Sequence, residues 1–587
     1  MKRLKGHEIL NPVSMVIFVA LLITSASATV CIQACDYTSI QAAVDAAKSG
    51  DTIIVKGKEY YENVKVDKSL IIKGDGSNTV DGEKKGPVFV IGNVNPNINV
   101  TLSGLMIKNG KSKIGGGGIL NNATTTIEGC TVFRSSAFDD GGGILNYARL
   151  RLKDSKIHSN SALGNGGGIC NYGTVNASGC TVYNNQAKEY GGGISSNNTI
   201  VMSECTISGN KCHEMGGGIV CLDGSKAKLT DCTITDNEMN GVYSCLVATM
   251  NITDCSISYN LENGVVNMGD MTINSTSINN NSADDGAGIA NGAYGYLILN
   301  KVSIAANKAD VGGGMQNLGT VVLNKGTLIT GNHADESGGG IYNEGEKTGF
   351  RGKIIMNSGS SVTKNSAGGT GGGVYNMVDF TMNPGSSVSA NTATMGPGGG
   401  IYNDFDANLT INGGSVTGNK AKAEAGGIFN YGETTLNSGS LISGNSAATN
   451  GGGILNEYGN LTVNPKSSIQ ENYAKNGAGI FNGLGSLLNL VGGSIEKNKA
   501  SNYGGGIYTC NAMRLEGSVI ASNQALYGGG IYIEKANVNL ISGSIDHNRA
   551  NKFGGGIYNN GGSVIGQRGL VHNNYPNNIY PVKNPSP

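Results

Sequence analysis

The chain repeats one pattern of apolar and polar positions from about residue 115 to residue 560. An apolar residue follows each of eighteen glycine-rich clusters, at Ile119, Ile144, Ile169, Ile194, Ile219, Val242, Val265, Ile289, Met315, Ile341, Val374, Ile401, Ile428, Ile454, Ile480, Ile507, Ile531 and Ile557, in steps mostly of 23 to 27 residues. A second element precedes most of these by about a dozen residues: an Ile or Val, two variable residues and an Asn, as in Ile157 with Asn160, Val182 with Asn185, Ile207 with Asn210, Ile304 with Asn307, Ile442 with Asn445 and Ile545 with Asn548. Between them lies a short alternating stretch such as Leu150-Arg151-Leu152 or Leu409-Thr410-Ile411. Each unit therefore predicts three strands of about three to five residues, with one residue in two facing a core. No stretch has the helical period, and the unit is too short for a propeller blade of roughly 40 residues or more.

Short strands that pair with the same strand of the next unit satisfy their backbone groups without an antiparallel partner. The predicted class is all-β, a right-handed single-stranded parallel β-helix with an N-terminal capping helix. Eighteen repeats and three or four irregular first coils, at ~4.8 Å each, give a rod of about 100 Å. The recurrent Asn is expected to hold the left-handed backbone of a tight corner and to hydrogen-bond to its copies along the rod. An open stack exposes strand edges at its ends. Thr38 to Lys48 fits an N-terminal cap: Thr38 and Gln41 form a capping box, Ile40, Val44 and Ala47 form an apolar face, and Gly50 stops the helix.

The predicted division is a signal peptide over 1–28, cap and irregular coils over 29–114, regular repeats over 115–572 and a Pro- and Asn-rich tail over 573–587. Lys2, Arg3 and Lys5, the apolar run Val13 to Ile23 and the small residues Ala26-Ser27-Ala28 make up an export signal with cleavage near Ala28. No later stretch is long and apolar enough for a transmembrane span. The protein is thus expected to be secreted or on the cell surface.

Composition sharpens this picture. The 587 residues include 95 Gly, more than twice the usual share of roughly 7%, yet only 10 Pro, and the glycines cluster instead of recurring every third residue, which excludes collagen. Charges balance at 42 against 42 with no basic run, so nucleic acid is excluded as a partner.

Thr38 to Gly76, TSIQAAVDAAKSGDTIIVKGKEYYENVKVDKSLIIKGDG, resembles the opening of pectate-lyase-like β-helix proteins. Gly115 to Asn559 resembles the polymorphic outer membrane protein repeat, with its Gly-Gly-Ala-Ile and Phe-x-x-Asn tetrapeptides. Here Gly usually replaces Ala and Ile or Val replaces Phe, leaving Phe405 to Asn408 as the one literal copy of the second. The chain ends Pro581 to Pro587 where autotransporter relatives carry a membrane barrel. The resemblance implies the rod and, by analogy, an adhesive or surface role.

Cys130, Cys180, Cys205, Cys232 and Cys255 share one slot, with Ser155 filling the gap. A straight column cannot surround a metal tetrahedrally, so these are expected to be buried small hydrophobes. Cys31 and Cys35 lie outside the column, where they are candidates to pair. No Gly-x-Ser-x-Gly elbow or Cys-His pairing is present, and Asp139-Asp140 and Asp284-Asp285 lie six coils, about 29 Å, apart. The reading is a non-enzymatic exported protein with an adhesive, envelope-structural or glycan-contacting role, its partner the cell envelope or an extracellular polysaccharide. The alternative is a polysaccharide lyase or hydrolase with degenerate motifs.

Three features are candidates for contact. The residue after the repeat apolar position is aromatic in half the copies, and Tyr342, Tyr375, Tyr402, Tyr508, Tyr532 and Tyr558 are the candidate ligand-binding residues, with Tyr243, Phe429 and Phe481 in the same slot. Alternation sets these rings opposite the core, as an exposed stripe for glycans or neighbouring rods, or else as rings lying against one another to protect the sheet. The long step from Ile341 to Val374 places a surface loop at Glu344 to Lys353. Asp284, Asp310 and Glu336 each stand five residues before the repeat position in consecutive coils. Such a column is a candidate Ca²⁺ site, or else a solvated acidic edge.

Overall fold

The computed structural model describes residues 27–30, 35–345 and 352–581. The export signal up to residue 26, Cys31, most of the Glu344–Lys353 loop and residues 582–587 lie outside the described residues.

The chain winds into a right-handed parallel β-solenoid of about 22 turns. In one representative coil the strands are Ile144–Asn146, Arg149–Lys153, Lys156–His158 and Ser161–Ala162. Each pairs in parallel with its copy in the next coil, Ile144 with Ile169, Leu150 with Val175, Ile157 with Val182 and Ala162 with Ala187. The fourth strand adds to the three expected; two residues are too few to show alternation in a sequence. Along Arg149–Lys153 the charged residues face out, and Leu150 and Leu152 face the core. One core cluster runs from Val30 to Val571. No coil buries its apolar residues alone, so stability accrues between neighbours.

The glycine corner explains the repeat. The glycine directly before the repeat residue is present in all eighteen units. A Cβ on Gly143 would stand 2.5 Å from the carbonyl oxygen of Gly168, its counterpart one coil on, and 2.9 Å from the amide nitrogen of Asn160. The first glycine of the cluster, Gly141, has a φ of 66°, open to glycine at little cost.

Asn160 fills the space beside that corner. Its side-chain amide donates to Val132 O at 3.0 Å and to Asn185 Oδ1 at 3.0 Å, while Asn185 Oδ1 also accepts from the Asn160 backbone N–H at 3.1 Å. The ladder continues coil by coil to Asn548 and Asn574. The left-handed backbone expected of these asparagines belongs to the preceding residue, as at Ser159 (φ 54°), Asn184 (φ 52°) and His547 (φ 53°). The reversal happens at the exposed position, which leaves the Asn side chain free to turn inward. A second ladder, not singled out from sequence, stands two residues after the repeat position: Asn146 donates to Asn171 at 2.7 Å, Asn376 to Asn403 at 2.8 Å and Asn430 to Asn456 at 2.7 Å.

The N-terminal helix spans Ile40–Ala46 and presents Ile40, Ala43 and Val44 to the core. Its N-cap is Ser39, one residue later than expected, and its side chain accepts from Ala42 N–H. Gln41 does not close a capping box, because the Glu62 carboxylate accepts from the N–H groups of Ile40 and Gln41, both at 2.9 Å. At the other end Lys68 Nζ donates to the carbonyls of Val44, Asp45 and Ala47. A charge of the right sign from the chain beneath thus holds each helix end. Ahead of the helix, Ser27–Val30 pairs with Thr52–Val55.

At the C-terminus the expected tail begins as structure. Asn574 continues the inner ladder, Asn578 Oδ1 accepts from it, and Ile579–Tyr580 pairs with Ile557–Tyr558. The last coil therefore extends past residue 573.

The glycine corner yields a direct test. In Gly400→Ala the new Cβ would meet the Gly427 carbonyl at 2.6 Å, and the expected cost is about 3 kcal/mol, seen as faster hydrogen exchange across the neighbouring coils. Gly569→Ala, with nothing within 4 Å of its Cβ, is expected to exchange like the parent.

Candidate functional site

The outer face of the sheet built from the repeat Ile strands carries the aromatic slot. Tyr342, Tyr375, Tyr402 and Phe429 form one stack, with ring centroids 5.0, 4.9 and 4.7 Å apart and planes within 10°. Phe481, Tyr508, Tyr532 and Tyr558 form a second, at 4.6, 5.1 and 5.2 Å, which Tyr580 extends. Leu455 separates the two. The rings lie outside the core, as alternation requires, and most are half-buried; Phe429 and Tyr532 are buried.

Both halves of the expectation meet here. The rise of ~4.8 Å between coils matches ring stacking, so each ring covers the face of the next and shields the sheet. What remains for solvent is a row of ring edges and phenol oxygens. Tyr375 donates to Asp404 Oδ2 at 2.7 Å. Burial first, and the carboxylates of Glu344 and Glu534 respectively next, push Tyr342 and Tyr508 up to about 12. Burial also raises Tyr375 and Tyr402. The row is therefore one of neutral O–H groups at physiological pH.

A further row escaped the sequence reading. Tyr503, Tyr527 and Phe553 stand directly before three consecutive glycine clusters and pack beside the second stack, with Tyr503 4.7 Å from Tyr532 and Tyr527 edge-on to Tyr558 at 5.3 Å. Their shared spacing was the available signal.

The acidic residues are arranged differently from the expected column. Asp284 and Asp310 line one concavity of about 250 Å³ together with Glu262, Lys308 and Asp335. A bulge sets two residues, Asp335 and Glu336, opposite Asp310, and it is Asp335 that enters the concavity. Asp335 pairs with Lys308 at 3.2 Å and His333 at 3.0 Å. Lys308 thus sets a positive charge among these carboxylates. Among the described residues no group of three or more His, Cys, Asp or Glu is placed to hold a metal. Glu336 acts on Asp285, whose carboxyl is raised by burial and then by Asp284, Asp310 and Glu336. Burial, then Asp284, raises Glu262.

The cysteine column is buried, with all five thiols free. Burial pushes Cys130 up to about 11, which leaves it a poor nucleophile. Cys35 is disulfide-bonded; Cys31, its expected partner, lies outside the described residues. Asp140 accepts from Asn165 N–H at 2.7 Å and from the Tyr172 hydroxyl, a structural role between coils.

With this geometry established, the chain is similar to the right handed β-helix region family over residues 88–245 and 151–307, and to the Chlamydia polymorphic membrane protein repeat over residues 326–344. The second match ends on the coil that opens the first ring stack. No curated protein and no solved structure matches the chain. Among the described residues no helix is long and apolar enough to cross a membrane.

The acidic concavity carries a pH test. Asp285 and Glu262 have folded pKa values above their unfolded values, so their contribution to stability is highest below the unfolded pKa of about 4 and is lost as pH rises through the folded value. Asp285→Asn with Glu262→Gln is expected to raise the melting temperature at neutral pH, on the order of 1 °C, and to give no gain in acid. Asp335 is lowered, chiefly by its bond to Lys308, so Asp335→Asn is expected to have the opposite sign at neutral pH. Calorimetric scans at both pH values check these signs.

Proposed function

We propose that the protein is an exported, non-enzymatic rod of the cell surface or extracellular space, and that the ring-bearing face of its isoleucine sheet contacts polysaccharide of the envelope or matrix. The observation that carries this reading is the pair of ring stacks, Tyr342 to Phe429 and Phe481 to Tyr580, on the outside of one sheet. Their faces are consumed by stacking, so recognition runs through ring edges and through phenol hydroxyls in two runs, Tyr342 to Tyr402 and Tyr508 to Tyr580. A polymer of repeating hydroxyls complements such a row. The likeness to the Chlamydia polymorphic membrane protein repeat supports the surface location, and the basic, apolar and small segments before residue 28 support export.

The test is co-sedimentation with insoluble polysaccharides and cell-wall preparations. The combined variant Tyr342→Phe, Tyr375→Phe, Tyr402→Phe and Tyr508→Phe keeps the rings and removes the hydroxyls. It is expected to bind about tenfold more weakly, equivalent to about 1.4 kcal/mol, with the thermal transition little changed. Equal binding by this variant overturns the hydroxyl-row reading. Release of reducing or unsaturated ends from any of the polymers replaces it with the polysaccharide-cleaving alternative.

A further inference from the structure

Upstream of the ring stacks the same sheet face is different. Its slot holds Ser195, Val220, Tyr243, Val266 and Ala290, with a single ring among the five. The result is a groove of about 670 Å³, within the size range of small-ligand sites. Tyr190 and Met215 rise on the glycine side, and Leu222, Leu246, Met268 and Tyr294 on the other. From first to last the lining crosses four coil steps, about 19 Å.

The coils that form the groove depart from the rest of the rod in several ways. The second Asn ladder is interrupted here over three consecutive coils, at Ser196, Cys221 and Ser244, and over two more at Thr509 and Ile533. Three of the four buried side-chain polar atoms without a hydrogen-bond partner among the described residues are the hydroxyls of Ser195, Ser225 and Ser244. A buried orphan of this kind costs about 1–3 kcal/mol. Next to Leu246, Val247 holds a φ of 57°, a backbone that β-branched residues avoid. Leu246, Val247 and Tyr294 are also exposed despite their apolar bulk. These local costs fall in the coils that form the concavity, next in sequence to its lining residues Leu246 and Cys245.

The lining also specifies charge. Its one charged group is the Asp223 carboxylate, and no Lys, Arg or His lines it. Three tyrosines and two methionines, with Leu222 and Leu246, make up most of the rest, a surround that attracts a cation with apolar substituents. We propose that this groove binds an organic ammonium ion, a quaternary or protonated amine on an apolar or aromatic body, with its charge toward Asp223 and its body against Tyr243 and the Met215–Met268 walls.

Cys245 provides a reporter inside the groove. It and Cys510 are the two part-exposed thiols among the described free cysteines, and only Cys245 lines the site. The full chain is alkylated with iodoacetamide at mildly alkaline pH and both sites are quantified by peptide mass spectrometry. Benzyltrimethylammonium is expected to protect Cys245 saturably and leave Cys510 unchanged; phenylacetate, a similar ring of opposite charge, is expected to protect neither. Asp223→Asn and Tyr243→Ala are each expected to raise the protecting concentration about tenfold. Should Cys245 resist alkylation without a probe, calorimetric titration of the same two probes decides instead. Absence of protection or heat with benzyltrimethylammonium overturns the site, and equal effects of phenylacetate overturn its cation preference. Co-sedimentation with phosphatidylcholine vesicles separates a lipid head group from a free ammonium compound as the source.

Discussion

Everything in this rod depends on how closely two glycine carbonyl-bearing segments approach at one corner. With a Cβ at Gly143 the carbonyl of Gly168 would be met at 2.5 Å, and the same contact recurs along the stack. That approach sets the coil-to-coil distance on the isoleucine sheet and brings Asn160 beside the corner. It also lets the strand after each cluster begin in register with its neighbours. The corner is thus the gauge to which the coils are cut, and apolar burial fills what it encloses.

Such a corner leaves buried backbone groups, and asparagine answers them. One Asn side chain both donates to a carbonyl of the coil before and accepts from it, while passing a bond to the coil after. An interior polar ladder is safe only when each member is satisfied. The rod keeps that rule along the inner ladder; along the second, Ser196 still accepts from Asn171 and donates to Asn198 O, and the Ser244 hydroxyl is left without a partner in coils where the face outside deepens into a groove. The coils in which three successive asparagines of the second ladder are replaced are also the coils under that groove.

Outside the sheet, the repeat distance does different work. Rings set one per coil fall at stacking distance without adjustment, so aromatic residues in this slot become a continuous ladder, while charged residues at the same spacing repel. The acidic concavity shows the second case: a lysine and a bulge enter where carboxylates of successive coils would otherwise line up.

The sequence by itself determined the class of fold, the burial of the cysteine column and the side of the sheet on which the rings lie. These are properties of one coil copied along the chain, and periodicity reports them directly. Only the tertiary structure decided what meets across coils of unequal length. Counting back five residues from the repeat position pointed to Glu336, but the backbone pairing of Ala309 with Ala334 and Val311 with Ser337 brings Asp335 to the concavity. The left-handed residue before each Asn, the Glu62 and Lys68 clamps on the helix and the row Tyr503, Tyr527 and Phe553 arise in the same way. Alignment between coils follows backbone hydrogen bonds, which absorb insertions and bulges at corners, and those adjustments carry no period for a sequence to display.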